Sequence, residues 1–221
     1  MQLENAGVLF SEMTPDASWE GEFNQWYDEE HIPLRMGVKG FLGAQRYLRD
    51  ERNYLAVYDM ESPQVLDTDA YALIKNNPSE VTARMLSSVS NFTRYIGRSI
   101  GTQSRDGIEQ ALQAPILYPV FFDVPNDRQE EFDAWYNEDH VPTLLESPDW
   151  LGCRRFALDV AHPHSFNRLA LHYLADERVL QSSAREKARA SDWRVRLANE
   201  SWFKGTYLVF KRHGERFKAK G

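Results

Sequence analysis

Glu22-Phe-Asn-Gln-Trp-Tyr-Asp-Glu-Glu-His-Ile-Pro33 and Glu131-Phe-Asp-Ala-Trp-Tyr-Asn-Glu-Asp-His-Val-Pro142 are near-copies of one another within a chain of 221 residues. Seven of the twelve positions are identical, at a constant offset of 109. Ile32/Val141, Glu30/Asp139 and Asp28/Asn137 differ only mildly. A repeat of this length means that one folding unit occurs twice. A histidine, His31 or His140, therefore stands at the same point of each copy.

Outward from the repeat, both halves read in the same order. In the first, Ala6 to Met13 is β-prone, and Asp16 or Ser18 can cap a helix that follows. Trp19, Phe23, Trp26, Tyr27, Glu30 and Leu34 keep helical spacing on one stripe. Pro33 is expected to end that helix, because the residue before a proline avoids the helical region. Strands are expected over 41–48 and 54–60, helices over 65–76 and 80–89, and a strand over 92–98. The second half gives a strand at 117–124, a helix at 127–139, strands at 150–157 and 168–173, a broken helix over 179–199 and a strand at 203–211. Gly101 to Gly107 has linker composition. The domains are thus a first unit at 1–100, a linker at 101–114, a second unit at 115–213 and a tail at 214–221.

The order β-α-β-β-α-β is the ferredoxin-like unit, whose sheet carries both helices on one face. The bare face needs cover. Two such units packed sheet to sheet make an eight-stranded α+β barrel, so the expected class is α+β with a small ligand held inside the barrel.

Composition narrows the function classes. Lys+Arg of 26 against Asp+Glu of 33 gives a net charge of −7, which disfavours nucleic acid as a partner. The basic run Lys211 to Lys220 reads as a solvated tail. A single cysteine, Cys153, fits a reducing compartment. No apolar run reaches spanning length, and Met1 to Asn5 lacks a leader pattern, so a cytoplasmic protein without membrane contact is expected. Aromatic residues at 13% could line a pocket for an apolar or aromatic small molecule.

The segment Trp-Tyr-x-Glu-Glu/Asp-His-Ile/Val-Pro, followed by Gly40-Phe-Leu-Gly-Ala-Gln-Arg-Tyr47, resembles the dimeric α+β barrel superfamily, closest to its EthD-like branch. Most relatives carry one unit per chain and pair as homodimers. This chain looks like a tandem fusion, which implies a monomeric pseudo-dimer or a homodimer. The superfamily hosts isomerases, cyclases, dehydratases, cofactor-free monooxygenases, haem enzymes and proteins without known activity. The glycine-aspartate haem signature is absent, so no cofactor is expected. The resemblance points to His31 and His140, and to Arg46 and Arg155 on the following strands.

Histidine suits proton transfer near neutral pH. His31 or His140 could move a proton next to a carbonyl while an arginine stabilises the enolate. Asp28 stands one turn before His31 and could orient its ring; Asn137 replaces it in the second copy. A plainer role is that a helix-end histidine satisfies the last carbonyls. Tyr27 and Tyr136 fall on the buried stripe yet are candidate substrate contacts, as is His172. One of each pair Gln45/Arg46 and Arg154/Arg155 must face the helices and the other the opposite side. Asp28-x-x-His31 is not a full metal-ligand set, and no metal is expected. The expected function is a cofactor-free acid–base enzyme of isomerase, cyclase or dehydratase type acting on a small hydrophobic or aromatic carbonyl compound. The alternatives are a cofactor-independent monooxygenase and a non-catalytic, stress-related small-ligand binder.

Overall fold

The computed structural model describes residues 6–219. Residues 1–5, read above for a leader, and 220–221, at the end of the expected tail, lie outside the described residues. The chain is α+β and divides into two compact units. Of the described residues, one unit contains 6–98, Asp159–Pro163 and 212–219; the other contains Ser99–Leu158 and His164–Lys211.

In the first unit, β1 (Gly7–Met13) leads to α1 (Glu20–Trp26), whose last turn widens over Tyr27–His31 before α2 (Ile32–Met36). Then follow β2 (Phe41–Arg49), β3 (Asn53–Met60), α3 (Asp69–Asn76), α4 (Glu80–Ser88) and β4 (Arg94–Ser104). The strand order is β4-β1-β3-β2, antiparallel, with register Leu9↔Tyr58 and Ala44↔Tyr58 across the centre. Odd positions of β1 and even positions of β2 and β3 face the helices, where Leu9, Met13, Ala44, Tyr54, Ala56, Tyr58 and Met60 join Phe23, Trp26 and Ile32 in one core. Each large side chain sealed there contributes about 1.5–3 kcal/mol relative to exposure.

The second unit repeats the plan. Its elements are α5 (Ile108–Ala111), β5 (Ile116–Phe122), α6 (Gln129–Trp135), a wide turn over Tyr136–His140, α7 (Val141–Leu144), β6 (Trp150–His162) as far as Leu158, β7 (Arg168–Leu174), α8 (Ser183–Ala190), α9 (Asp192–Ala198), β8 (Thr206–Tyr207) and the first two residues of β9 (Phe210–Lys218), the rest of which belongs to the first unit. β5 lies between β7 and an interrupted edge formed by β8 and the start of β9. The interruption falls opposite Pro119, which has no N–H to give; its carbonyl accepts from Leu208 N.

Several elements differ from expectation. Pro33 does not end the helix. The Ile32 N–H donates to Tyr27 O, five residues back, so the helix holds one extra residue before Pro33 enters the first turn of α2. A proline there loses no bond that the helix would otherwise make. The extra residue also shifts the apolar stripe by one place: Ile32 is buried, whereas Leu34 is 45% exposed. The composition-based linker is structured, since β4 continues to Ser104 and α5 follows. The basic C-terminal run is likewise strand through Lys218, beside β2, rather than a solvated tail. Among the described residues no helix is long and apolar enough to cross a membrane.

Gly40 turns the chain from α2 into β2 with φ of 100°, its carbonyl accepting from Glu61 N at 2.8 Å. A Cβ there would lie 2.6 Å from Val65 Cγ2. Gly40→Ala should therefore cost about 1–3 kcal/mol, seen as a lower urea midpoint with an unchanged slope. An unaltered midpoint would show that this turn is not constrained.

Candidate functional site

Each unit holds a cavity between its sheet and its helices; the expected ligand site was on the opposite sheet face, inside the barrel. On the opposite face the large side chains Phe10 and Tyr47 of one unit and Phe156 and Tyr173 of the other are at most 2% exposed. On the helix side, short helices and wide turns leave space.

The first-unit cavity has a volume of about 520 Å³. That is within the range of about 300–1,000 Å³ usual for small-molecule sites. Its walls are mostly apolar, among them Leu9, Met13, Ile74 and Phe92. His31 lies on its wall, 2% exposed, its ring 4.3 Å from that of Trp26 and 4.8 Å from that of Tyr27. Among the described residues nothing hydrogen-bonds the His31 ring. Burial, aided by the Arg35 and Arg46 charges, holds its pKa well below the ordinary 6.5, so the imidazole is neutral. Tyr27 and Tyr58 line the same space, and burial pushes both phenols up. The Tyr58 hydroxyl, beside Tyr27, makes no hydrogen bond of normal geometry among the described residues.

Three cations reach this cavity: Arg35, Lys75 and Arg94. Its lining contains no carboxylate. Arg35 donates to the His31 carbonyl at 3.1 Å and stands over the Tyr58 ring. Arg94 donates to the Tyr71 hydroxyl at 3.3 Å. Burial raises the Tyr71 pKa, but the guanidiniums of Arg35 and Arg94 outweigh it and the net shift is downward.

The arginines flagged on the strands have a different place. Arg46 faces the helices and is 1% exposed; it donates to Asp28 Oδ1 at 2.8 Å and Asn24 Oδ1 at 2.6 Å and lies 4.6 Å from the centre of the Tyr27 ring. Arg155 is its counterpart, held by Asp133, by Asn137 Oδ1 at 2.9 Å and over Tyr136. Neither lines either of these two cavities. Asp28 thus bonds the arginine rather than orienting His31, because the wide turn rotates the two apart. Gln45 and Arg154 occupy the opposite face.

The second-unit cavity is smaller, about 280 Å³, and contains His140, Tyr136 and His172. Burial takes the His140 pKa down to about 3, against a raising contribution from the Ala188 backbone. Burial also holds His172 well below 6.5. The His172 tautomer follows from its neighbours. Trp150 Nε1 can only donate, and it reaches His172 Nδ1 at 3.1 Å. A neutral ring with Nδ1 as acceptor carries its proton on Nε2, which then donates to the Tyr136 hydroxyl oxygen at 3.1 Å. The Tyr136 O–H is left pointing elsewhere. Cys153, 3.9 Å from the same ring nitrogen, is buried and pushed up to about 12, which makes it an inert thiol.

Sequence reasoning missed Arg35, Tyr71 and Arg94 in one unit and Arg185, Arg189 and Arg194 in the other. A signal existed for some of them. Thr68 and Ser182 cap α3 and α8 through Tyr71 N and Arg185 N, and Ser79 and Ser191 cap α4 and α9 through Thr82 N and Arg194 N. Tyr71/Arg185 and Thr82/Arg194 are thus equivalent third positions of equivalent helices.

No family model and no curated protein matches the chain. Solved structures do match it in fold. An anthrone oxidase-like protein aligns with TM-score 0.68 at 13% identity, covering 99% of this chain and 94% of its own. A candidate monooxygenase from Lactobacillus acidophilus NCFM gives 0.62 at 8% identity, with 98% and 97% covered. Chlorite dismutase from Candidatus Nitrospira defluvii gives 0.61 at 9%, with 97% and 93% covered. The chain shares its α+β barrel fold with these proteins.

Three histidines kept neutral in the folded chain give a pH signature. Unfolded, each titrates near 6.5. Below that pH the unfolded chain takes up protons that the folded chain refuses, so stability falls as pH drops; for His140 the loss continues down to its folded value of about 3. Urea unfolding at pH 7, 6 and 5 should show a loss approaching about 1.4 kcal/mol per pH unit per site. The slope should be shallower in His172→Gln. A flat profile from pH 7 to 5 would contradict the neutral assignment.

Proposed function

We propose that the chain is an enzyme in which the first-unit cavity binds an enolisable aromatic carbonyl compound and His31 removes a proton beside the carbonyl. The observation that carries this reading is a neutral imidazole without a partner on the wall of a large apolar cavity. A ring kept neutral by burial is a base over the whole physiological range, although a weak one. Its weakness is offset when the enolate forms next to it, because imidazolium and enolate then screen each other in the cavity. Arg35 and Arg94 add positive potential, and the Tyr27 and Tyr58 hydroxyls can donate to the developing oxyanion.

The fate of the enolate separates the two enzymatic readings. We favour cofactor-independent oxidation: a methylene beside the carbonyl loses its proton, the carbanion reacts with O2, and the balance is CH2 + O2 → C=O + H2O. The fold neighbours described as anthrone oxidase-like and as a candidate monooxygenase support it. Return of the proton elsewhere on the substrate, as isomerisation, cyclisation or dehydration, needs the same base and no oxygen. Arg46 and Asp28 act in either case by holding Tyr27 and the wide turn in place.

With anthrone as probe, oxygen uptake should accompany turnover, and His31→Gln should slow it by about 10²–10⁴-fold while probe binding persists. Since His31 stays neutral well below pH 6.5, kcat/KM should show no acidic fall between pH 7.5 and 6. Turnover without oxygen uptake would favour the isomerase type. Full activity of His31→Gln would remove the imidazole from the mechanism.

A further inference from the structure

The two cavities are not copies, and the second has a feature the first lacks. Trp26 Nε1 donates to Thr82 Oγ1 at 3.0 Å, inside the first unit. In the second unit the equivalent tryptophan is Trp135 and the residue equivalent to Thr82 is Arg194, whose side chain offers no acceptor. The Trp135 indole N–H is accordingly buried, on a residue 2% exposed, and has no partner among the described residues, while Trp135 lines the cavity. A buried N–H without an acceptor is costly and rare.

Most other polar groups in position are also donors, the exceptions being the neutral His140 ring, whose Nδ1 has no partner among the described residues, and the tyrosine hydroxyl oxygens. Arg185, Arg189 and Arg194 line the same cavity, whose lining contains no Asp or Glu. None of the three forms an ion pair among the described residues. Arg185 gives one N–H to the Leu180 carbonyl at 2.6 Å, and Arg194 lies over the Phe203 ring at 5.2 Å. The Tyr136 hydroxyl accepts from His172, which frees its own proton for something else. Guanidiniums, an indole N–H and a phenol O–H around one small space, without a carboxylate to answer them, suit an oxyanion. The cavity volume, about 280 Å³, suits a ligand of one ring, and Tyr118 and Tyr207, stacked 6.1 Å apart, offer a flat wall.

We infer that the second-unit cavity is a binding site for a small single-ring aromatic carboxylate, gripped by Arg189 and Arg194 with the Trp135 N–H and Tyr136 O–H as further donors. This goes beyond the proposed function, which uses the first-unit cavity and none of these residues.

Calorimetric titration of the full chain with phthalate tests it. Saturable binding is expected, weakened about tenfold or more by the double substitution Arg189→Gln/Arg194→Gln, since a charge-assisted bond is lost at each position. Near-UV circular dichroism should be unchanged by these substitutions. In the 1H–15N spectrum one indole resonance, assigned to Trp135 by its disappearance in Trp135→Phe, should move on titration. Binding that ignores the double substitution, or an indole resonance that stays in place at saturation, overturns the site. Inorganic phosphate displacing phthalate at equal concentration overturns its assignment to an aromatic carboxylate.

Discussion

A buried guanidinium fastens the first helix to the sheet in each unit. Arg46 rises from β2, almost wholly enclosed, and its fork is met by Asn24 and Asp28 while Tyr27 lies beneath it. Arg155 does the same with Asp133, Asn137 and Tyr136. A buried charge must be paired and hydrogen-bonded to be tolerated, so the arginine dictates where those helix residues stand. That placement sets the phase of the helix and leaves the extra residue of the wide turn to be absorbed just after it. His31 and His140 are carried into their cavities by that absorbed residue. The charge clamp is therefore upstream of the candidate chemistry without touching the cavity.

The halves also show how differently a duplicated frame can be furnished. Offset by 109, Arg35 of the first copy falls on Leu144 of the second, so the cation beside the histidine is gone. Tyr58 corresponds to His172, which replaces a phenol with a ring locked in one tautomer by Trp150. The cations of the second copy come instead from α8 and α9. One cavity is thus large and apolar with charges around a neutral base, the other small and rich in donors.

The element order was legible because both period-2 and period-3.6 patterns are strong and occur twice. The phase of the first helix was not. Trp19 to Leu34 fits an uninterrupted α-helical stripe, and nothing in local composition announces a turn with five-back bonding; only Pro33, apparently misplaced, hints at it. The same turn defeats the Asp28–His31 pairing, which assumed ideal helix geometry. Gly101 to Ser104 read as linker because glycine, glutamine and serine do not favour strand, yet the ladder with β6 overrides that preference. His31, His140, Tyr27 and Tyr136 could be singled out from the repeat, and His172 from its place on a strand. Arg35, Arg94 and Arg189 carry no such mark, and Arg185 and Arg194 are marked only by the capping serines three places before them.

The capping geometry has an evolutionary corollary. Thr68, Ser182, Ser79 and Ser191 each accept from the main-chain N–H of the residue three places on. That bond makes no demand on the side chain at that place, which lines the cavity, although Thr82 also accepts from the Ser79 hydroxyl at 3.0 Å. Such a position is a free allele within a constrained scaffold: exchange there can rewrite what a cavity accepts while the helix register stays put. Tyr71 against Arg185, and Thr82 against Arg194, show that this freedom has been exercised twice in one polypeptide. Selectivity in this architecture can drift faster than its stability.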